Sequence, residues 1–348
     1  MATGGRIRGI RAEFPPGIVS QDDAFEGHYA RAFHRVPDAE GVFASTQVRR
    51  RHMAWDPRSD GVPTLGERMR AWEGYALDLG GRALGALLAD SDPARIGSLV
   101  LASCTGYTAP SPDVLWARTF GFRRDLRRTF VGHMGCNAAF NALKVALDAL
   151  DARPEDQALV VCVEFCSLHL TRSRPVIDKE QLIVHALFGD AVVAVLLAAP
   201  DKGTGPTVLR THTETHCQLS DAMTWRVQDP VFHLSLSPAV PLHLSQAIGP
   251  FVERLLAPAG LRPQDIRHWG IHPGGPKIIE FIGRRLHLDE EQLTPSRRVL
   301  REYGNCSSAT ILLILDQIMR HSTPEPGEYG VLMAFGPGLS MESALIRF

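Results

Sequence analysis

The chain has 348 residues, of which 45% are hydrophobic and 22% charged, and its formal net charge is −1. It is long enough for a large core and for two domains or one duplicated domain, and its balanced charge excludes a general attraction to nucleic acid or anionic membranes. The longest apolar run, residues 191–200, is about half a membrane span, and the N-terminus lacks a signal-peptide core. We expect a cytoplasmic protein without a membrane span, in which the six cysteines are reduced thiols.

Regular patterns begin after the first 60 residues, which are mixed and rich in charge. This N-terminal part contains a basic cluster, residues 48–52, that is either a solvated face or a binding place for phosphates. The patterns that follow predict an amphipathic helix over residues 68–89, a strand over Ile96–Ser103, a short helix over 111–120 and a strand over 129–131.

A cysteine stands at the start of the most apolar helix pattern. Gly135 permits a sharp turn into Cys136, and the apolar positions among residues 137–150 go all round a helix, which predicts a helix buried on most sides. The first turn of a helix has free N–H groups and a positive dipole end, which favour a thiolate. The position suits a nucleophile, although a lone cysteine is more often an inert core residue.

The rest of the chain alternates between strand-like and helical patterns. Strands are predicted over residues 158–165, 191–198, 268–271, 330–335 and 343–346, helices over 242–257, 277–286 and 306–319, a polar loop over 171–181, and β structure with long loops over 203–235. Cys162 and Cys166 are four residues apart, but no second ligand pair follows at zinc-site spacing, so we interpret them as strand and strand-end residues.

The two halves of the chain repeat each other at an offset of about 170 residues. The apolar helix that begins at Cys136 and the strand after it match the apolar helix that begins at Cys306 and its strand. We therefore predict a domain division into residues 1–202 and 203–348, with parallel strands and with a helix layer between two sheets. In that arrangement Cys136 and Asn305 lie at equivalent helix starts and can face one pocket.

Three polar groups at the ends of core elements suit one chemistry. Cys136 can act as the nucleophile, His272 can take its proton and lower the thiol pKa, and Asn305 with His272 can stabilise an oxyanion or enolate. Taken alone, His272 also fits a buried hydrogen-bonding histidine and Asn305 a helix N-cap. A papain-like protease uses the same three residue types, but its local cysteine signature is absent and the duplication does not fit it.

Six stretches of the sequence resemble the type III polyketide synthases, the chalcone synthase-like enzymes. They are MGCNAAFNAL around Cys136, VVCVEFCSL (160–168), HALFGD (185–190), IHPGGP (271–276), REYGNCSSA (301–309) and FGPGLSMES (335–343). HPGGP and YGNxSSA argue against the β-ketoacyl synthase III branch of the same fold. The resemblance implies an α/β thiolase-like αβαβα sandwich, a homodimer, and iterative decarboxylative condensation of malonyl-CoA on a starter acyl-CoA. It implies no cofactor beyond these CoA thioesters and no metal.

The resemblance also assigns roles to single residues. It makes Cys136 the nucleophile, His272 and Asn305 the decarboxylation pair, and Phe188 and Phe232 the gatekeepers between the CoA tunnel and the cavity. The residues expected in the cavity wall are Thr105, Cys166, His169, Met223 and Ser307. His169 either hydrogen-bonds a growing polyketone or simply faces a strand end. The family's CoA-phosphate contacts do not map cleanly, and the substitutes are Arg49, Arg50, Arg51 and Lys277.

Two departures and two alternatives accompany this interpretation. The Gly-rich run that follows the nucleophile in plant members is here residues 137–140, NAAF, and HALFGD is more similar to bacterial alkylpyrone and tetrahydroxynaphthalene synthases. A single-condensation ketosynthase or acyltransferase of the same fold is the first alternative. A catalytically silent partner subunit is the second, and the intact set of Cys136, His272 and Asn305 argues against it.

Overall fold

A computed structural model describes residues 4–56, 63–170 and 179–348. The strands are β1 (Gly5–Glu13), β2 (Ile18–Ser20), β3 (Arg50–His52), β4 (Ile96–Ser103), β5 (Arg127–Gly132), β6 (Gln157–Phe165), β7 (Asp190–Ala198), β8 (Thr207–Thr215), β9 (Met223–Val227), β10 (Phe232–Leu236), β11 (His268–Ile271), β12 (Tyr329–Gly336) and β13 (Ser340–Arg347). The α-helices are α1 (Gln21–Ala24), α2 (Ala30–Ala32), α3 (Ala39–Ser45), α4 (Leu65–Leu88), α5 (Pro112–Thr119), α6 (Ala138–Ala152), α7 (Lys179–Leu187), α8 (Val240–Leu256), α9 (Pro276–Leu286), α10 (Glu290–Tyr303) and α11 (Ala309–Gln317).

The strand pairing repeats in the two halves, as the sequence offset predicted. In the first half β4 is parallel to β6, β6 is antiparallel to β7, and β7 is antiparallel to β1. In the second half β11 is parallel to β12, β12 is antiparallel to β13, and β13 is antiparallel to β8. The expectation of parallel strands therefore holds for β4 with β6, for β4 with β5 and for β11 with β12, and it is wrong for the remaining pairs of the main sheet.

The two half-sheets meet at their edges rather than staying separate. β1 and β8 are joined by two residue pairs, Gly5 with Val208 and Arg6 with Thr207. Among the described residues the order is β11-β12-β13-β8-β1-β7-β6-β4-β5, a single hydrogen-bonded ladder. The prediction of two sheets is corrected to two half-sheets joined at a short edge.

Alternation of side chains along β6 shows how the layers are built. Val160 and Cys162 face the buried cluster that contains α6 and α11, whereas Val161 and Val163 face the cluster that contains α4. In β12 Leu332 faces α6 and α11, and Met333 faces the cluster that contains α8 and α9. The layers therefore run helix, sheet, helix, sheet, helix. Strands covered on both faces have near-continuous apolar sequences, which is what β4, β6 and β7 show.

Several elements were not predicted from the sequence, among them β1 and α10. β1 and α10 carry charged residues throughout their lengths and had no helix or strand prediction. The predicted polar loop over 171–181 lies in part outside the described residues, and its last three residues begin α7. In the described part of the chain, no helix is both long and apolar enough to cross a membrane.

Candidate active site

Cys136 lies in the turn that leads into α6, between Gly135 and the N-cap residue Asn137. Gly135 has φ +84°, a left-handed conformation that L side chains rarely adopt. A Cβ atom at this position would lie 2.2 Å from Cδ of Pro337, in the turn between β12 and β13. The second half of the chain thus packs directly against the turn that presents the cysteine of the first half.

Asn305 and Ser307 come from the second half and contact the thiol. The backbone of Asn305 pairs with the segment around Phe188, its N–H donating to Leu187 O at 2.8 Å and its carbonyl accepting from Gly189 N at 3.0 Å. The Asn305 Oδ1 accepts from Ser307 N at 2.9 Å, which directs the amide nitrogen elsewhere. The side chains of both residues lie close enough to the Cys136 thiol to lower its pKa in part. The predicted juxtaposition of the two helix starts is therefore present.

His272 follows β11 and is 1% exposed. Its backbone N–H donates to Met333 O at 2.9 Å, which extends the β11–β12 ladder by one residue. Within the described part of the chain, neither ring nitrogen has a hydrogen-bond partner. A buried imidazole with both nitrogens free violates the usual pairing of buried polar groups, and such exceptions are typical of functional sites.

The protonation states differ from those that the sequence suggested. Burial raises the pKa of Cys136 to about 12, although the hydrogen bonds from Ser307 and Asn305 lower it in part. Burial also lowers the pKa of His272 to about 3. The expectation that His272 lowers the thiol pKa through an ion pair is thus wrong for the protein alone, because a low-dielectric site disfavours both charges. The thiol and the imidazole are both neutral at pH 7.

A cavity of about 30 Å³ lies in front of Cys136. Five of the residues predicted for substrate binding line it, and these are Thr105, Cys166, Phe188, Met223 and Ser307. Two further lining residues, Trp225 and Leu234, were not predicted. They come from the β9–β10 hairpin, whose position over the site is a matter of tertiary contact that no local pattern indicated.

His169 and Phe232 are absent from the lining of this cavity, and they contact each other behind it. The two rings stack at 4.2 Å with an interplanar angle of 15°. His169 Nε2 donates to Thr105 O at 2.7 Å, and its Nδ1 accepts from Phe232 N at 3.0 Å. Burial lowers the pKa of His169 to about 3. Both ring nitrogens are engaged, so His169 does not hydrogen-bond a growing chain in this arrangement. This agrees better with the expectation that the side chain faces a strand end.

Glu164 is a buried carboxyl beside the site that the sequence reasoning missed. It accepts hydrogen bonds from Thr105 Oγ1 at 3.0 Å, from Cys104 N at 3.1 Å and from the Ser308 hydroxyl. Burial raises its pKa to about 7. The available signal was a single acidic residue inside the otherwise apolar strand β6.

The four basic residues expected at CoA phosphates fall into two groups. Arg51 is fully buried, and its Nη1 donates to His185 O at 2.6 Å and to Phe188 O at 2.9 Å, so its predicted role as a surface contact is wrong. Arg49 and Arg50 are exposed and lie 3.6 Å and 2.9 Å from Glu302. Lys277 is exposed in the first turn of α9, close in sequence to His272. Over the described residues, no cluster of three or more His, Cys, Asp or Glu side chains could hold a metal.

The sequence matches two models of known protein families. Residues 55–201 match the model described as chalcone and stilbene synthases, N-terminal domain, and residues 213–348 match the corresponding C-terminal domain. The chain is 35% identical to 1,3,6,8-tetrahydroxynaphthalene synthase of Streptomyces peucetius subsp. caesius, an alignment that covers 99% of this chain and 93% of the relative. It is 32% identical to the alpha-pyrone synthesis polyketide synthase-like Pks18 of Mycobacterium tuberculosis, over 97% of this chain and 90% of the relative.

Solved structures of similar enzymes share the fold. The crystal structure of 1,3,6,8-tetrahydroxynaphthalene synthase from Streptomyces coelicolor A3(2), described as a bacterial type III polyketide synthase, superimposes with a TM-score of 0.91 at 27% identity and covers 99% of both chains. PKS-I from the brown alga Ectocarpus siliculosus gives a TM-score of 0.91 at 26% identity, over 99% of this chain and 98% of that one. The predicted thiolase-like αβαβα fold is thereby confirmed.

Proposed function

This chain belongs to the chalcone and stilbene synthase family and is a type III polyketide synthase, and we propose that it extends a starter acyl group held as a thioester on Cys136 with units from malonyl-CoA. The observation that carries the proposal is the contact of Asn305 and Ser307 with the Cys136 thiol at a buried cavity. The unpartnered ring of His272 supports it, since that ring is available to a substrate oxygen.

Loading begins with a neutral thiol. The Cys136 sulfur attacks the carbonyl carbon of the acyl-CoA, its proton passes to His272, and the C–S bond to CoA breaks as the CoA thiolate takes up a proton. Hydrogen bonds from Ser307 and Asn305 to the sulfur favour the negative charge that develops during the attack. The pocket stabilises the thiolate only as it forms, because burial otherwise keeps the thiol protonated.

Extension uses the same amide and imidazole in a second role. Malonyl-CoA loses CO₂, and the electron pair of the broken C–C bond forms an enolate whose oxygen accepts hydrogen bonds from His272 and Asn305. The enolate carbon then attacks the thioester on Cys136, a C–C bond forms, and the C–S bond to Cys136 breaks. The lengthened chain remains on CoA and can return to the cysteine for a further cycle.

The similarity to named relatives supports a cyclised product. One relative is named for tetrahydroxynaphthalene and another for α-pyrone synthesis. We propose a pyrone, resorcinol or related ring as the product class here. Free CoA thioesters are proposed as the substrates, with no other cofactor, and Arg49, Arg50 and Lys277 are proposed as contacts for the CoA phosphates.

We also propose that the enzyme is a homodimer and that it is located in the cytoplasm. β5 forms one edge of the sheet and pairs only with β4 among the described strands, and the half-buried residues of β5 leave that edge available to a second copy. All six cysteines are free thiols, in keeping with a reducing compartment.

Product mass tests the function directly. The enzyme is incubated with malonyl-CoA and with short-chain, long-chain and aromatic acyl-CoA starters, and the products are identified by mass spectrometry. Products that contain several malonyl-derived units support the proposal, whereas a single new C–C bond supports the alternative of a single-condensation ketosynthase. Cys136→Ala removes acyl loading but keeps part of the malonyl-CoA decarboxylation, and His272→Ala loses both decarboxylation and condensation.

A further inference from the structure

The β9–β10 hairpin forms part of the cavity wall although it is separate from the main sheet. Among the described strands its two strands pair only with each other, with Leu234 opposite Trp225 and Leu236 opposite Met223. Met223, Trp225 and Leu234 all line the cavity in front of Cys136. In the part of the chain that the structure describes, no further strand pairs with this hairpin, so its position depends on other contacts.

His169 provides one of those contacts, and its tautomer follows from its partners. Thr105 O can only accept and Phe232 N can only donate, so Nε2 carries the proton and Nδ1 is the acceptor. The ring thus connects the loop after β4 with the first residue of β10. Its parallel stacking on Phe232 adds apolar contact to the same connection.

Trp225 and His133 provide a second connection beside the nucleophile. The indole N–H of Trp225 donates to Cys104 O at 2.7 Å, and His133 Nε2 donates to Trp225 O at 2.9 Å. His133 Nδ1 accepts from the hydroxyl of Tyr107. His133 lies three residues before Cys136 and has φ +60°, a conformation that costs energy for a residue with a side chain and persists where its surroundings fix it.

We propose that His169 and His133 are positioning residues that hold the β9–β10 hairpin against the loops around Cys136, and that this placement determines how far the bound chain extends. The inference rests on the proposed polyketide synthase function and deepens it. His169 bridges backbone groups of the active-site loop and of the hairpin, and His133 bridges the hairpin backbone and the hydroxyl of Tyr107. When a bridge is lost, the hairpin moves, the acceptor thioester is held less well, and enolate formed at His272 and Asn305 is quenched by a proton instead of forming a C–C bond.

Three substitutions of His169 separate its contacts. His169→Phe keeps a stacking ring and removes both hydrogen bonds. His169→Asn keeps an acceptor for Phe232 N near the position of Nδ1, and His169→Gln keeps a donor for Thr105 O near the position of Nε2. His34→Phe is the matched control, because His34 is exposed and its ring bonds to Arg31 O within its own segment.

The measured quantity is the ratio of malonyl-CoA decarboxylated to malonyl units incorporated in product. For His169→Phe we expect this ratio to rise about tenfold, with a shift in the product-length distribution and a larger change in kcat than in KM for malonyl-CoA. For His169→Asn we expect a ratio between those of the parent and of His169→Phe, and for His34→Phe we expect the ratio of the parent. If His169→Phe keeps the parental ratio and product lengths, the positioning role is wrong.

Two further measurements keep the inference testable if His169→Phe does not fold. Trp225→Phe keeps an aromatic ring and removes the hydrogen bond to Cys104 O, and it should raise the same ratio by a smaller factor. Long-range ¹H–¹⁵N NMR of the unmodified protein should find His169 and His133 as the Nε2–H tautomer, and an Nδ1–H tautomer for His169 would overturn the bridge regardless of activity. Absence of any C–C bond formation by the parent enzyme would instead refute the proposed function, while the tautomer result would still report on the bridge.

Discussion

Gly135 and Pro337 come from opposite halves of the chain and meet beside the nucleophile. The closest approach to a Cβ built on Gly135 is 2.2 Å, from Cδ of Pro337, which is far inside van der Waals contact. The turn that presents Cys136 is therefore shaped as much by the β12–β13 turn as by its own sequence. Several consequences of this arrangement can be measured.

Gly135→Ala should abolish acyl loading and destabilise the fold. The new methyl group would collide with Pro337, and the residue would have to keep φ +84°. We expect a loss of about 2–4 kcal/mol in the free energy of unfolding and at least a hundredfold lower loading. Gly121→Ala is the matched control, since Gly121 has φ +65° with no atom within 4 Å of its virtual Cβ, so it measures backbone strain alone. Equal effects of the two substitutions would contradict the collision.

Alkylation of Cys136 should become faster with pH without levelling off near neutrality. Because the pKa of the thiol is raised to about 12, the reactive thiolate fraction should increase about tenfold for each pH unit from 6 to 10. The rate of iodoacetamide labelling is measured by peptide mass spectrometry, with Cys136→Ala as the background for the exposed Cys217. A plateau below pH 8 would show a thiolate already stabilised by His272.

Glu164→Gln should gain stability relative to the parent as the pH rises. The folded-state pKa of about 7 is above the ordinary value of 4.5, so the protonated form favours folding and this contribution is lost as the pH rises from about 4.5 through 7. The parent loses at most ~3 kcal/mol of folding stability over this pH range. The uncharged amide of the variant does not titrate, so the variant does not lose this contribution. Thermal unfolding of both proteins at pH 5 and pH 8 gives the comparison, and a parallel pH dependence would place Glu164 in a more polar setting.

Arg51→Met should lower stability much more than Arg50→Gln. Arg51 donates to two buried carbonyl groups, of His185 and Phe188, and its loss would leave both carbonyls without that donor, at about 1–3 kcal/mol each. Arg50 is exposed and pairs with Glu302 at 2.9 Å, an interaction of less than about 1 kcal/mol. Chemical denaturation measures both variants. A change in the KM for malonyl-CoA without loss of stability in Arg51→Met would restore its rejected role at the CoA phosphates.

The sequence predicted the features of the fold that repeat between the two halves and those that follow from the spacing of apolar residues. The offset of about 170 residues between the helices at Cys136 and Cys306 gave the duplicated layers, and the same offset placed Asn305 opposite the nucleophile. β1 was missed because its isoleucines, Ile7 and Ile10, are three residues apart, a spacing that a register shift between Ile7 and Gly9 accommodates. α10 was missed because many of its residues are charged and it contains Pro295. In both elements, segments distant in sequence pack on one face and bury it.

The burial and hydrogen bonds of the polar side chains in the site could not be predicted from the sequence. Arg51 sits in a basic run that resembles a solvated face, and its burial depends on carbonyls more than 130 residues away. The engagement of His169 likewise depends on Phe232 and Thr105, each more than 60 residues distant. The direction of the thiol pKa depends on how much water the folded pocket excludes, which residue types alone do not determine.

The short edge between β1 and β8 has a consequence for engineering. Of the described residues, Gly5 and Arg6 are the ones in β1 that pair across that edge, and the connection between β7 and β8 passes through an exposed turn. Cleavage of the backbone in that turn would yield two fragments, one with Cys136 and one with His272 and Asn305, neither of which contains a complete set of reactive groups. Formation of product by the mixed fragments would then report their reassembly, so the enzyme offers a natural split point for a complementation reporter.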